Sequence, residues 1–224
     1  MRLSAPILFS AILGLAGNSL SAGEARWWKG NLHTHTLWSD GDDYPEMVAE
    51  WYKQHGYHFL ALSDHNILAD QERWTPITSN KGGEAAFQKY GARFGNTWVE
   101  EREGEKGKEV RLKKLTEFAP RFEEAGKFLL IPSEEITSKG IHINATNIKE
   151  LILPYTGADQ TKSEGVVATI QRVVNSVFEQ RERTGEPIFP HLNHPNFGWA
   201  VTAEELMQVD RERFLEVYNG HPAV

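Results

Sequence analysis

Two histidines separated by a single residue, His33 and His35, are the first candidate metal ligands in this sequence. On an extended segment the side chains at i and i+2 point to the same side, so both imidazoles can reach one cation. The pair Asp64-His65 also combines metal-binding residue types, directly after an apolar run. Each pair alone has an ordinary alternative, namely two exposed loop histidines or an aspartate that caps the following turn.

The same residue types recur after two later apolar segments. Glu134-Glu135 follows residues 128–131, and His191 and His194 follow residues 187–189. In a parallel α/β fold the C-terminal ends of the strands converge on one face, so we expect these side chains to form one site. Glu134-Glu135 alone could be surface charge. Together, histidines and carboxylates in a chain without cysteine are a donor set that suits Mn, Fe or Zn.

The first elements of the chain must position these residues. Residues 27–32 are predicted to form a short strand that ends at the first histidines. An apolar stripe at helical spacing predicts a helix that begins at Pro45 and ends at Gly56. The continuous apolar run 57–62 is typical of a strand buried on both faces. Strand, helix and strand in this order predict a parallel βαβ unit.

The later elements continue the α/β alternation after one interruption. Residues 69–114 are interpreted as an insertion that contains a hairpin with its turn near 104–107, and its charged stretch as a solvated loop tip. The remaining predicted elements are helices at 116–125, 163–184 and 203–209 and strands at 128–131, 141–144, 187–189 and 214–218.

Composition sets limits on the class of protein. Of the 224 residues, 40% are hydrophobic and 25% are charged, as in an ordinary globular domain. Residues 1–22 have the layout of a secretory signal peptide, with Arg2 before an apolar segment and small residues after it. That segment is shorter than the roughly 20 residues that span a bilayer. We therefore expect export, one domain at 23–224, and no membrane contact after cleavage.

Charge and cysteine content narrow the function further. The formal net charge is −7, which makes the surface a poor attractor for long nucleic acids, so no stable nucleic-acid complex is expected. Because the chain has no cysteine, disulfides, thiolate zinc sites and a cysteine nucleophile are all excluded. Any metal must be held by nitrogen and oxygen, and nine histidines are available.

Several segments carry a resemblance to a known family. They are Asn31-Leu32-His33-Thr34-His35-Thr36, Ser39-Asp40-Gly41, Ala61-Leu62-Ser63-Asp64-His65-Asn66, Ile131-Pro132-Ser133-Glu134-Glu135-Ile136 and Asn193-His194-Pro195. In sequence and in order they resemble the successive motifs of the polymerase and histidinol phosphatase (PHP) family. The first and third of these segments are the most specific, and the resemblance covers residues 27 to about 220.

The resemblance implies a fold and a metal site. The fold would be α/β, a distorted parallel (β/α)7 barrel of the PHP type, and its cofactors would be two or three divalent metal ions, Mn, Fe or Zn. Carried over by position, the ligands would be His33 and His35 for one ion, Asp40 and His65 for a second, His142 and His194 for a third, and Glu135 as a bridging carboxylate, with Glu134 as the alternative to it.

Two further residues are candidate catalytic residues. Asp64 would act as a partner that orients a ligand histidine. His191 could reach the metal, although the family's His-Pro step aligns with His194. We interpret His55 and His58 as structural, because they fall in a predicted helix end and in a strand body.

One departure from the family pattern concerns the end of the chain. The family's final Asp-x-His motif is absent, and the sequence stops at residues 222–224. We therefore expect a sequence truncated at its C-terminus, whose native form continues with at least one more strand.

The resemblance implies hydrolysis of phosphate esters by metal-activated water, on a small phosphorylated substrate. Two other functions stay open. An exported phosphodiesterase or exonuclease would need a basic and aromatic groove, which Trp74, Trp98 and residues 111–114 could provide. A non-catalytic module would keep the metal ligands for stability alone, and the missing final motif is compatible with it.

Overall fold

The computed structural model describes residues 25–138, 140–154 and 165–221, so the predicted signal peptide at 1–22 lies outside it. The strands are β1 (Gly30–Asn31), β2 (Phe59–Leu62), β3 (Arg73–Pro76), β4 (Glu101–Gly104), β5 (Gly107–Leu112), β6 (Leu129–Ser138), β7 (Ile141–Thr146) and β8 (Phe189–Leu192). The helices are α1 (Pro45–Gln54), α2 (Gly83–Phe94), α3 (Leu115–Phe122), α4 (Val166–Thr184) and α5 (Ala203–Leu206), with a 3-10 turn at Phe197–Trp199. No helix within these three ranges is long and apolar enough to cross a membrane.

The main sheet has five strands in the order β1-β2-β6-β7-β8. Strands β1, β2 and β6 are parallel, whereas β7 is antiparallel to both of its neighbours. Because α1 connects the adjacent parallel strands β1 and β2, the predicted βαβ unit is confirmed.

The predicted parallel (β/α)7 barrel is wrong. The chain forms a curled, mixed five-stranded sheet together with a small antiparallel sheet of order β3-β5-β4. The physical reason is the connection after Ser138, where only two residues precede Ile141. A parallel crossover needs about a dozen residues or more, so strands joined this closely must be antiparallel. Gly140 has a φ of +81°, a left-handed backbone that glycine adopts without a Cβ penalty.

Two local predictions agree with the structure. Helix α1 begins at Pro45, and Gly56 follows its end with a φ of +71°. The charged hairpin also forms, with β4 ending at Gly104 and β5 beginning at Gly107. Proline at a helix start and glycine in tight turns act locally, so their effect is readable from sequence.

Two predicted strands are shorter than expected. The first is reduced to Gly30–Asn31, the two residues that pair with β2. The predicted strand 214–218 is reduced to one parallel bridge between Leu215 and Leu192. Even so, this bridge places residues 214–216 beside the end of β8.

The predicted insertion 69–114 contributes a core of its own. Its sheet and α2 pack against the segment between β1 and α1, which carries Asp40. The buried members of this core are Leu37, Trp38, Tyr44, Ile67, Ala86, Phe87, Tyr90, Val99, Val110 and Leu112. A second core lies between α4 and the strands β6, β7 and β8, and includes Ile136, Ile143, Val173, Val174, Val177 and Leu192.

A buried carboxylate ties α1 to the insertion. Glu46 of α1 is fully buried, and its Oε1 accepts hydrogen bonds from the Tyr90 hydroxyl and from Trp98 Nε1, both at 2.7 Å. Burial raises the pKa of Glu46, and these two donors oppose that effect. Each donor therefore stabilises a group that would otherwise be costly to bury.

We predict that Tyr90→Phe lowers the free energy of unfolding by about 1–2 kcal/mol, because a buried acceptor loses a donor. Tyr44→Phe is the matched control. The Tyr44 ring stacks on Tyr90 with centroids 4.0 Å apart, but among the described residues its hydroxyl makes no hydrogen bond. Urea denaturation of both variants checks this, and equal losses would contradict a specific role for the bond to Glu46.

Candidate metal centre

Glu135 of β6 lies at the centre of the candidate site. Its side chain is fully buried, yet five histidine rings surround its carboxylate. Near Oε1 lie His33 Nε2 at 3.3 Å, His142 Nδ1 at 3.0 Å and His194 Nε2 at 3.4 Å, and near Oε2 lie His35 Nε2 at 2.8 Å and His65 Nδ1 at 3.0 Å. The five predicted histidine ligands and the predicted bridging carboxylate are therefore brought together.

The mixed sheet explains why these residues meet. His33, His65 and His194 follow the C-terminal ends of β1, β2 and β8. His142 stands at the start of β7, and because β7 is antiparallel its start lies at the same edge of the sheet. Glu135 is in the interior of β6, which extends beyond β2 and forms a parallel bridge to His65.

Strand alternation separates Glu135 from Glu134. Successive side chains on a strand point to opposite faces, so only one of the two can face the histidines. Glu134 points away, and its Oε1 accepts a hydrogen bond from the Ile152 amide at 2.6 Å. Burial raises the pKa of Glu134 to about 8, and its Oε2 has no partner among the described residues. Glu134, the alternative bridging carboxylate, is thus placed away from the cluster.

The charge state of Glu135 depends on its neighbours. Burial alone raises the pKa of the Glu135 carboxyl, but hydrogen bonds from His142, His194 and His33 outweigh it and hold the pKa far below its usual range. Glu135 is therefore ionised at neutral pH and needs positive charge beside it.

Glu216 is a candidate ligand that the sequence reasoning missed. Its Oε1 lies 3.0 Å from His33 Nδ1, and its Oε2 accepts hydrogen bonds from the His194 amide at 3.0 Å and from Asn219 at 3.1 Å. A usable signal existed, since Glu216 is the single acidic residue within the apolar run Phe214-Leu215-Glu216-Val217-Tyr218. An acidic residue inside a predicted strand is therefore as good a candidate for a metal ligand as one at the end of the strand.

Asp40 lies at the solvent-exposed side of the site. Its Oδ1 lies 2.7 Å from His35 Nδ1, and its Oδ2 lies 3.7 Å from His65 Nε2. The Asp40 side chain is 66% exposed, in contrast to Glu135. The site therefore has one carboxylate buried at its base and one at its mouth.

Asp64 supports the loop that carries Asp40. The fully buried carboxylate accepts hydrogen bonds from the Thr36 amide at 2.8 Å, the Thr36 hydroxyl at 2.9 Å and the Ser39 hydroxyl at 2.6 Å. From its position before His65, Asp64 is predicted to orient a ligand histidine. Its hydrogen-bond partners in the structure are backbone and hydroxyl groups of residues 36–39, between His35 and Asp40.

His191 is placed behind the cluster. It lines a separate cavity with Asn31, His33 and Glu216, and it is buried. Its Nδ1 makes no hydrogen bond to any described residue, and burial lowers the pKa of His191 to about 4. The structure does not bring His191 into any of the groups that could hold a metal ion.

The described residues form four overlapping groups that could hold a metal ion. Within each group the candidate ligand atoms lie within 4.8 Å of one another. The groups are His33-His194-Glu216, His33-His35-Glu135, His35-Asp40-His65 and His65-Glu135-His142. Several clusters of histidine and carboxylate therefore have the geometry to hold a metal ion.

The outer part of the pocket is lined by other side chains. Phe197, Asn219 and His221 surround its mouth together with the ligand candidates. The cavity has a volume of about 340 Å³, which is the size of a small-molecule site.

No family model matches this chain, and no curated protein matches it. The resemblance of the motifs to the PHP family therefore stays a prediction.

We predict that metal binding releases protons from the cluster. Burial lowers the pKa of His33, but Glu135 and Glu216 outweigh it and raise the pKa to about 9, so the metal-free ring is protonated at pH 7. Because a metal ligand must be deprotonated, Mn²⁺ should displace at least about one proton at pH 7, and its affinity should rise as the pH approaches 9.

Titration calorimetry in two buffers of different ionisation enthalpy measures this release. His33→Gln should release fewer protons, whereas His55→Gln, whose ring contacts the Trp51 carbonyl outside the site, should match the parent chain. Equal proton release by all three proteins would contradict the assignment of a charged His33.

Proposed function

We propose that this chain is a metal-dependent phosphomonoesterase that hydrolyses small phosphorylated compounds with two or three divalent ions, Mn, Fe or Zn. One observation carries the proposal. Five histidines and two carboxylates, Asp40 and Glu135, line one pocket that opens to solvent at Asp40, and a third carboxylate, Glu216, lies against His33 behind it. Structural stability alone does not require so many ionisable groups at one point.

The nitrogen and oxygen atoms around Glu135 form a donor set that fits divalent ions. Glu135 Oε2 is buried and has no hydrogen-bond partner among the described residues, although His35 Nε2 and His65 Nδ1 lie beside it. His33 Nε2 and His35 Nε2 are only 3.2 Å apart. These nitrogens and oxygens point into a common space, as ligands of one cation do, and a mixed imidazole and carboxylate set suits Mn, Fe or Zn.

The ions would supply the positive charge that the chain lacks. Bound divalent ions lower the pKa of a coordinated water and neutralise the phosphoryl oxygens. In the hydrolysis, water gives up one proton as it forms a new bond to phosphorus, the ester P–O bond breaks, and the leaving oxygen takes up a proton to become the alcohol.

The protein groups have separate roles in this proposal. Glu135 and the histidines around it hold the ions at the base of the pocket. Asp40 contributes a ligand at the mouth, and Glu216 contributes one behind His33. Asp64 is a positioning residue, because its hydrogen bonds fix the backbone that leads from His35 to Asp40.

A small substrate is favoured over a nucleic acid by the ion pairs of the insertion. Arg111 lies 2.7 Å from Glu100 and 2.8 Å from Glu117, and Lys113 also pairs with Glu100. Trp98 is partly buried and donates to Glu46. These side chains, which a nucleic-acid groove would need, are engaged with carboxylates. Export of the enzyme by residues 1–22 belongs to the same proposal.

We predict that the purified chain binds two or three metal ions and hydrolyses p-nitrophenyl phosphate in the presence of Mn²⁺. Elemental analysis measures the metal content. The double variant His33→Ala, His35→Ala should lose nearly all turnover and at least one ion. The matched control, His55→Ala with His58→Ala, removes two histidines outside the pocket and should keep both properties.

The outcomes separate the alternatives. Bound metal without turnover would contradict the catalytic proposal and favour a non-catalytic metal-binding module. A chain that binds no metal would contradict the whole proposal. Release of mononucleotides from single-stranded oligonucleotides, at rates above those for small esters, would favour the exonuclease.

A further inference from the structure

The turn after β8 has an unusual backbone. His194, Gly198 and Trp199 have φ values of +21°, +59° and +56°, so two non-glycine residues within six positions have positive φ. Such conformations are unfavourable for residues with a Cβ, and they persist where the surroundings or the function require them. This turn begins at a candidate metal ligand and carries the aromatic side chain of Phe197.

Phe197 forms an aromatic wall at the mouth of the metal pocket. It lines the pocket beside the ligand His194, with ring centroids 5.3 Å apart, and its ring lies 5.6 Å from that of His221. The two contacts are tilted by 55° and 65°, so neither imidazole stacks parallel on the phenyl ring.

Packing of the protein does not account for Phe197. Its ring belongs to none of the hydrophobic core clusters that the described residues form, and 37% of the residue is exposed. An aromatic face beside a polar metal site offers stacking to a planar ring and little to a short polyol. The distance from His194 places such a ring next to the phosphoryl group that the metal site would hold.

We propose that Phe197 determines the substrate class of this site, and that the preferred substrates are phosphate monoesters whose leaving group carries an aromatic ring. The ring stacks on Phe197 while the phosphate lies at the histidine cluster. This inference rests on the proposed phosphomonoesterase function and adds the identity of the leaving group to it.

The test compares two substrates that differ only in an aromatic ring system. Adenosine 5′-monophosphate and ribose 5-phosphate both release a primary alcohol, but only the first carries a base. With the Mn²⁺-loaded chain we expect kcat/KM to be about tenfold higher for adenosine 5′-monophosphate, since stacking of one base on an aromatic side chain contributes an effect of this order.

Three variants assign the preference to Phe197. Phe197→Ala should abolish it, mainly by raising KM for adenosine 5′-monophosphate, while turnover of ribose 5-phosphate is retained. Phe197→Tyr keeps the ring and should keep the preference. Trp199→Ala is the matched control, since Trp199 lies on the same turn and is 87% exposed but does not line the pocket.

Each outcome decides a separate point. Equal kcat/KM for the two substrates, or a preference that survives in Phe197→Ala, would overturn the inference and leave the phosphomonoesterase proposal standing. A uniform loss for both substrates in Phe197→Ala would also overturn it, because Phe197 would then act through His194. Failure to hydrolyse these esters and p-nitrophenyl phosphate alike would overturn both proposals.

Discussion

The Glu135 carboxylate is ionised although it is buried, and the histidines of the site are arranged around its charge. A charged group without solvent contact is strongly unfavourable unless opposite charge and hydrogen bonds surround it. Glu135 meets this requirement through five imidazoles and the Asn193 amide, which donates to Oε1 at 2.7 Å. In the metal-free chain the positive charge is provided by protonated rings such as His33, whose pKa is raised to about 9. Divalent ions would replace those protons, so the same geometry couples metal binding to protonation.

Hydrogen bonds within the curled sheet keep this arrangement together. Asn193 also donates to Asn144 Oδ1 at 2.9 Å, and Asn144 in turn donates to the Leu32 carbonyl at 2.7 Å. This chain of bonds joins the end of β8 to β7 and to the segment that follows β1, although β1 and β8 lie at opposite edges of the sheet. Because both amides are buried, the positions of the first and last histidine motifs are fixed relative to Glu135.

Sequence reasoning could predict the members of the site better than the fold that holds them. The spacing of His33 and His35 is a local property, and so are the start of α1 at Pro45 and the glycine hairpin of the insertion. The length of β6, in contrast, is not determined by its local sequence. Acidic residues after an apolar run resemble a strand end, but here the histidines stabilise Glu135 in the interior of a ten-residue strand, and the strand continues into a tight hairpin. Because β6 continues into this hairpin, β7 is antiparallel to it and the sheet is mixed.

Separate substitution of Glu134 and Glu135 tests whether the carboxylate between the histidines holds the metal. Isothermal titration with Mn²⁺ should show that Glu135→Gln weakens metal affinity by at least about 100-fold, because a direct ligand is worth more than the outer partners whose loss costs 10–100-fold. Glu134→Gln, one residue away and on the opposite face, should bind Mn²⁺ like the parent chain. Thermal denaturation of both variants confirms that they are folded. Full Mn²⁺ affinity in folded Glu135→Gln, or equal losses in both variants, would contradict the central role of Glu135.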